Sequence, residues 1–105
     1  MYIRLENNMT KKYFREIVNV ALIQAEKEYN SVLGNALSQS FYNQLKDIKK
    51  TVIEENIAYT QNKAYERYPM SIMAKRNFED DPRDYLNQLS DIVWGISLYP
   101  AMPEE

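Results

Sequence analysis

The sequence predicts an all-α protein: a single-domain bundle of three to four antiparallel helices. Two observations lead to this class. Only two glycines and four prolines occur in 105 residues, too few for the many tight turns of an all-β protein. Apolar residues also recur at intervals of three and four in several separate stretches, which is the spacing of one helix face. A chain of this length can bury one core without disulfides or metal ions, so we expect residues 1–105 to form one helical domain.

The first eight residues are the exception to this pattern. Residues 2–5 alternate apolar and polar side chains like a short strand, but four residues are too few to establish one, and Asn7 and Asn8 end the alternation. Residues 1–8 are therefore predicted to be either disordered or a short extended arm. Met9 is an alternative start of translation, in which case the arm would not be made.

The first helix is predicted from Thr10 to about Asn30. Its apolar positions form a complete helical stripe: Phe14, Ile17, Val18, Ala21, Leu22, Ala25 and Tyr29. Thr10 precedes the stripe and is a suitable N-cap, because its hydroxyl can accept a hydrogen bond from a first-turn backbone N–H that has no partner within the helix.

A second helix is predicted from about Asn35 to about Asn56. Its stripe consists of Leu37, Phe41, Leu45, Ile48 and Val52. Helical spacing continues through residues 57–68, so this segment either prolongs the second helix or forms a third, and Pro69 ends either version. Residues 70–77 are predicted to form a short connecting turn of helix.

The last helix is predicted to start at an acidic cluster. Asp81 is expected to be the N-cap, with Pro82 at the first helical position and Asp84 at the third, where negative charge meets the positive end of the helix dipole. The apolar stripe that follows is Tyr85, Leu86, Leu89, Ile92, Val93 and Ile96. Trp94 is expected in the core, and Gly95 is expected to let another backbone or ring approach closely.

Cysteine and histidine are absent from the sequence. Disulfides, thiolate zinc sites and cysteine nucleophiles are thereby excluded, together with the commonest general base and metal ligand. The acidic cluster could hold only a hard cation, and it lacks the residue order of an EF-hand. We therefore expect no enzymatic activity, no cofactor and no metal site. The sequence also lacks both the roughly 20 apolar residues of a membrane span and the apolar core of a signal peptide, so a cytoplasmic location with no membrane partner is expected.

Charge and tyrosine content favour a protein-binding function. Residues 1–50 carry a net charge of +3 and residues 51–105 a net charge of −5, so the acidic half suits a basic protein partner better than a nucleic acid. The chain also has nine tyrosines, whose amphipathic rings favour interfaces. Helix capping accounts for only part of the acidic cluster. The residues predicted to contact the partner are Glu79, Asp80, Asp81, Asp84, Tyr65 and Tyr68.

The preferred hypothesis is an immunity protein or antitoxin-type inhibitor that neutralises a basic, nuclease-like toxin domain. Its carboxylates would stand where the toxin otherwise binds phosphates. The abundance of Asn, Ile, Lys and Tyr, all with codons rich in A and T, favours a bacterial gene of low GC content or a mobile element.

The alternative hypothesis is a small phage or plasmid regulator that binds nucleic acid. Tyr42, Lys46, Lys49 and Lys50 would share one helix face, although a solvated polar face is the ordinary explanation of such residues. Packing at the edge of the core is likewise the ordinary explanation of Tyr65 and Tyr68. The sequence is equally compatible with helices that pair within one chain and with helices that pair across a homodimer.

Overall fold

The computed structural model describes residues 2–30, 36–78 and 84–105. Within these ranges the chain forms five α-helices and no β-strand, so the all-α prediction is confirmed, with five helices rather than three or four. None of the helices in this part of the chain has the length and apolar content that crossing a membrane requires. The helices are α1 (Lys11–Tyr29), α2 (Ala36–Ile48), α3 (Gln61–Arg67), α4 (Met70–Phe78) and α5 (Tyr85–Ile96).

Helix α1 matches the first predicted helix. Thr10 is its N-cap, and the Thr10 hydroxyl oxygen accepts a hydrogen bond of 3.1 Å from the backbone N–H of Tyr13. The stripe turns toward the core over most of its length, whereas Tyr29 at its end is 40% exposed. The buried members of the stripe are Phe14, Ile17, Val18, Ala21 and Ala25.

The C-terminal tail completes the start of α1. The backbone N–H groups of Lys11 and Lys12 donate to the carbonyl oxygens of Pro103 and Glu104, at 2.8 and 3.1 Å. Arg15 also donates a charged hydrogen bond to the Glu104 carboxylate, and this bond lowers the pKa of Glu104. The tail therefore satisfies N–H groups that the helix cannot, and it brings a negative charge to the positive end of the helix dipole.

Helix α2 continues into a π-helical turn, Lys49–Glu54. The backbone N–H of Glu55 donates to the carbonyl of Lys50 at 2.9 Å, the five-residue step that defines a π-helix. Asn56 then adopts a φ of 54°, in the left-handed region that asparagine tolerates better than most residues. The second helix therefore ends close to its predicted boundary, and residues 57–68 do not prolong it.

Two short helices follow the break. Thr60 caps α3 by accepting a hydrogen bond of 3.2 Å from the backbone N–H of Lys63, and Pro69 separates α3 from α4. The side chain of Gln44 in α2 accepts from the backbone N–H of Met70 at 3.0 Å, so α2 supplies part of the cap of α4. The predicted connecting turn is thus a nine-residue helix.

Helix α5 begins later than predicted. Asp84 occupies the N-cap position without a side-chain capping bond, and Tyr85 is the first helical residue, whereas Asp84 was expected at the third helical position. The predicted cap Asp81 and first-turn Pro82 lie outside the described residues. Tyr85 is buried, and its ring meets the ring of Phe41 edge-on at a centroid distance of 6.2 Å, so the helix starts where its apolar stripe reaches α2.

The N-terminal arm packs onto α5. Its backbone is extended and then forms a 3₁₀ turn, Leu5–Asn7, in which Leu5 is fully buried. Gly95 makes room for it: a Cβ atom at Gly95 would lie 2.5 Å from Leu5 Cδ2 and 3.0 Å from the ring of Phe14. The close approach expected at Gly95 is confirmed, and the arm is part of the core.

Helix α5 occupies the centre of the packing. Helices α1, α3 and α4 all pack on it, while α2 packs on α1 and α4. One connected cluster of buried apolar side chains joins these helices with the N-terminal arm and the C-terminal tail. Side chains on the different faces of α5 therefore reach different surfaces of the molecule.

Candidate functional site

Only part of the acidic cluster lies in the described structure. Glu79, Asp80 and Asp81 fall outside the described residues, whereas Asp84 is described and exposed. Asp84 lines an open depression of about 400 Å³ between α1 and the start of α5. We call this region the α1–α5 surface, and its residues are Val20, Ile23, Gln24, Lys27, Asp84, Tyr85 and Gln88.

Two exposed side chains of α1 give the α1–α5 surface its apolar part. Val20 is 51% exposed and Ile23 is 58% exposed. They are three residues apart and so lie on one face of the helix. Neither residue was predicted from the sequence, because an exposed apolar side chain is recognisable only once the buried face of its helix is known.

The two tyrosines of the predicted contact set have different environments. Tyr68 is 1% exposed, and its hydroxyl donates to Asp47 Oδ2 at 2.6 Å and lies 3.0 Å from the hydroxyl of Thr51. Tyr68 is therefore a core residue whose ring is not presented to a partner. Tyr65 is half-buried and lines depressions that share no residue with the α1–α5 surface. The structure thus does not bring Tyr65 and Asp84 into one site.

The hydroxyl of Tyr68 belongs to a polar cluster that joins α3 to α2. Arg67 pairs with Asp47 at 3.1 Å and lies 5.6 Å from the ring centre of Tyr59. Burial is the main cause that raises the pKa of Tyr68 to about 12, and the hydrogen bond to Asp47 adds to it. The phenol therefore stays protonated at neutral pH and acts as a hydrogen-bond donor that ties α3 to α2.

The alternative nucleic-acid set lies on α2 and the π-helical turn. Lys46 Nζ lies 5.1 Å from the ring centre of Tyr42, and the ring of Tyr29 lies 5.4 Å from that of Tyr42 between centroids. Lys49 and Lys50 follow at the start of the π-helical turn. Tyr42 already contacts two side chains of this protein, so a stacked base would have to displace one of them. Nucleic-acid binding by these four residues stays a prediction.

A buried carboxylate that the sequence analysis did not single out holds the N-terminal arm. Asp91 is 5% exposed and accepts hydrogen bonds from the Tyr2 hydroxyl at 2.6 Å, from Arg4 Nη2 at 2.8 Å and from the backbone N–H of Leu5 at 3.0 Å. The sequence signal that could have identified it is the position of this aspartate, directly before the apolar residues Ile92 and Val93 of the last helix. A buried charge needs hydrogen-bonding partners, but the sequence did not indicate that the N-terminal arm would provide them.

The partners of Asp91 determine its pKa. Burial alone raises the pKa of this carboxyl, because the charged form loses water. The hydrogen bonds from Arg4, Tyr2 and the backbone of Leu5 act in the opposite direction and outweigh burial, so the pKa of Asp91 lies below its ordinary value of 3.8. The aspartate is charged at neutral pH and forms an ion pair with Arg4.

We expect the stabilisation from Asp91 to disappear in acid. Since the folded-state pKa lies below that of the unfolded chain, the carboxylate stabilises the fold fully above pH 4 or so, and this contribution is lost as the pH falls through the folded-state value. Urea unfolding of the native protein and of Asp91→Asn, measured at pH 7, 5, 4 and 3, should show a stability difference that shrinks toward the lowest pH. A difference that stays constant with pH would contradict this assignment.

A second depression lies on the other side of α5, between the N-terminal arm and α3. It has a volume of about 250 Å³ and is lined by Arg4, Glu6, Tyr65, Ser90, Asp91 and Trp94. Trp94 was expected in the core, but it is only half-buried, because the helix turns its ring toward this opening.

A neighbouring depression of about 480 Å³ shares Tyr65 and Ser90 and adds residues of α4. We call the two together the Trp94 groove; its α4 residues are Ser71, Ile72, Lys75 and Arg76.

Comparisons with known proteins do not supply a function. No protein-family model matches the sequence, and neither a curated protein nor a solved structure shows significant similarity to this chain. Functional inference therefore rests on the α1–α5 surface and the Trp94 groove themselves.

Proposed function

We propose that this protein is a non-catalytic binding protein whose α1–α5 surface, together with the acidic residues that precede α5, takes up a basic protein partner. The observation that carries this proposal is the placement of Val20 and Ile23, both more than half exposed, in the same depression as Asp84. Apolar side chains that remain exposed together on a small protein often mark an interaction site.

The composition of this surface agrees with the anatomy of protein interfaces. Their centres are apolar and tightly packed, and their rims carry charge. Val20 and Ile23 would supply the centre. Asp84 would supply negative charge at the rim, where Lys27 also lies. The acids Glu79 and Asp80, which precede α5 in the sequence, would add negative charge that attracts a basic partner over long distances and disfavours an acidic one.

The more specific form of the proposal is an immunity protein or antitoxin that masks a nuclease-like toxin. Such a toxin binds the phosphates of its substrate with lysine and arginine side chains. Clustered carboxylates offer the same side chains an alternative partner, and the apolar centre adds affinity that nucleic acid cannot match. The cytoplasmic, bacterial setting expected from the sequence is compatible with this role.

A non-catalytic role is also supported by the carboxylate chemistry of the described residues. A carboxyl that acts as a general acid near neutral pH needs a raised pKa. The two carboxyls with shifted pKa values in this part of the chain, Asp91 and Glu104, are both lowered. Their partners are Arg4 and Arg15, so both carboxylates serve structural ion pairs.

The test uses the protein itself as bait. The tagged chain is purified from its native host at low and high salt, and a basic protein recovered in stoichiometric amount is identified by mass spectrometry. Binding of that protein is then measured for Ile23→Asp and for the double charge reversal Glu79→Lys with Asp80→Lys. We expect Ile23→Asp to weaken binding about thirtyfold, as for an interface hot spot, and the charge reversal to weaken it about tenfold, mainly through a slower association rate.

The matched controls make the same chemical changes elsewhere. Ile72→Asp changes an isoleucine that is 51% exposed on α4, and Glu66→Lys reverses an exposed charge on α3. Both variants should bind the partner as the native protein does. If Ile72→Asp abolishes binding and Ile23→Asp leaves it intact, the partner uses another surface and the proposal is wrong.

A further inference from the structure

Apolar and aromatic side chains line the Trp94 groove, and the described residues leave it open. Tyr65 and Trp94 line it and are half-buried, and Ile72 is 51% exposed at its α4 end. Aromatic rings of this kind provide large contact areas with little loss of side-chain entropy on binding. The groove therefore has the apolar centre of an interface, on a side of α5 that shares no residue with the α1–α5 surface.

Positive charge is concentrated at the α4 end of the groove. Arg4 is neutralised by its ion pair with Asp91, and Glu6 lies at the arm end. Lys75 and Arg76 are both exposed in the last turn of α4. The helix dipole favours cations at that position, which explains their place in α4, but it does not explain why an exposed isoleucine and two half-buried aromatic rings line the same groove.

We propose that the Trp94 groove is a second docking surface and that it takes an acidic peptide segment of a partner protein. An apolar side chain of the segment packs against Tyr65 and Trp94, and its carboxylates meet Lys75 and Arg76. A peptide suits the groove better than single-stranded nucleic acid, because Ile72 offers apolar contact where a nucleic acid would present phosphates.

This inference goes beyond the proposed function, because it assigns a partner of the opposite charge to a different surface. The α1–α5 surface itself has one cation and one anion, Lys27 and Asp84, and its proposed preference for a basic protein rests on the acidic residues that precede α5 in the sequence. The Trp94 groove, with Lys75 and Arg76, favours an acidic partner. Because the surfaces have no described residue in common, we expect the two partners to bind without competing for the same side chains. The protein would then link its basic partner to a second, acidic partner.

The single tryptophan of the chain provides a direct reporter, because Trp94 lines the groove. The probe is a synthetic peptide without tryptophan or tyrosine, in which Leu and Phe alternate with Asp and Glu. Titration of this peptide into the full-length protein should change the Trp94 emission in a saturable manner. The apparent affinity should fall as salt is added, since salt screens the charge pairs.

Variants show whether the change arises from the groove. The double reversal Lys75→Glu with Arg76→Glu should weaken binding of the acidic peptide about tenfold, as expected for two charge pairs at an interface rim. Lys63→Glu reverses one charge on α3, where the lysine side chain is 62% exposed and lies outside the groove, and it should have no effect. Ile72→Ser should weaken binding without altering its salt dependence.

Three results would overturn the proposal. The first is the absence of any saturable change in Trp94 emission or in the anisotropy of a labelled acidic peptide. The second is equal binding of a control peptide in which Lys replaces Asp and Glu. The third is tighter binding of an oligothymidine of matched length, which would identify a nucleic-acid surface instead. None of these results bears on the α1–α5 surface, so the two proposals stand or fall separately.

Discussion

Replacing Asp91 by alanine is expected to lower the free energy of unfolding by about 3 kcal/mol, because a buried donor left without its acceptor costs about 1–3 kcal/mol and the other hydrogen bonds to the carboxylate are lost as well. The side chain is 5% exposed, and three groups of the N-terminal arm donate to it. After the replacement, the backbone N–H of Leu5 would remain buried without its acceptor, which is costly, and Arg4 would lose its ion pair. Urea unfolding at pH 7, followed by circular dichroism, measures the change.

Two comparisons make the Asp91 experiment specific. Asp91→Asn preserves the size of the side chain and part of its accepting capacity, so it should cost less than Asp91→Ala. Glu66→Gln removes the charge of a glutamate whose side chain is 72% exposed, and it should change the free energy of unfolding little. A variant lacking residues 1–8 should lose most of its sensitivity to Asp91→Ala, because the two changes remove the same contacts. Fully additive effects would show that Asp91 does not act through the arm.

The replacement Leu5→Ala is expected to cost about 3 kcal/mol, within the range for a fully buried leucine. Leu5 is 0% exposed and packs in the space that Gly95 leaves open. The matched control is Ile3→Ala, two residues earlier in the same arm, where the side chain is 53% exposed. That variant should be almost as stable as the native protein. Thermal or urea unfolding measures the stability of both variants. Similar losses of stability for Leu5→Ala and Ile3→Ala would contradict the packing of the arm.

Gly95 offers an independent check on the same contact. In the native background Gly95→Ala introduces a Cβ atom 2.5 Å from Leu5 Cδ2, and overpacking of this kind costs about 1–3 kcal/mol. In the Leu5→Ala background the Leu5 methyl groups are gone and only the Phe14 ring, 3.0 Å away, still crowds the Cβ atom, while the higher helix propensity of alanine recovers roughly 0.5–1 kcal/mol. The effect of Gly95→Ala should therefore be destabilising in the first background and smaller or reversed in the second.

The longer helices could be predicted because their signals are local. The stripe of α1 and its cap at Thr10 depend on residues at most four positions apart, and the structure confirms both. The limits of α2 were close to those predicted, although a π-helical turn replaces its last α-helical turn. The start of α5 was predicted less accurately: Asp81 was expected as the N-cap, whereas Asp84 occupies that position and Tyr85, packed against Phe41, is the first helical residue.

The candidate sites were predicted less completely than the helices. Tyr68 was predicted to contact a partner, yet its hydroxyl bonds to Asp47 and Thr51 within the protein and its ring is part of the core. Trp94 was predicted to lie in the core, yet it lines a groove. Large amphipathic side chains suit either place, and only the arrangement of neighbouring helices decides between them.

By itself, the sequence determined the class of the protein: an all-α domain with its main helices at α1, α2 and α5, without cysteine or histidine chemistry. These properties follow from composition and from spacings within one or two turns. The tertiary structure alone decided that the arm belongs to the core, because Arg4 and Asp91 meet across 87 positions of the chain. It also decided which apolar side chains stay exposed, since exposure depends on which helix faces pack together, and sequence periodicity identifies a face without naming its partner.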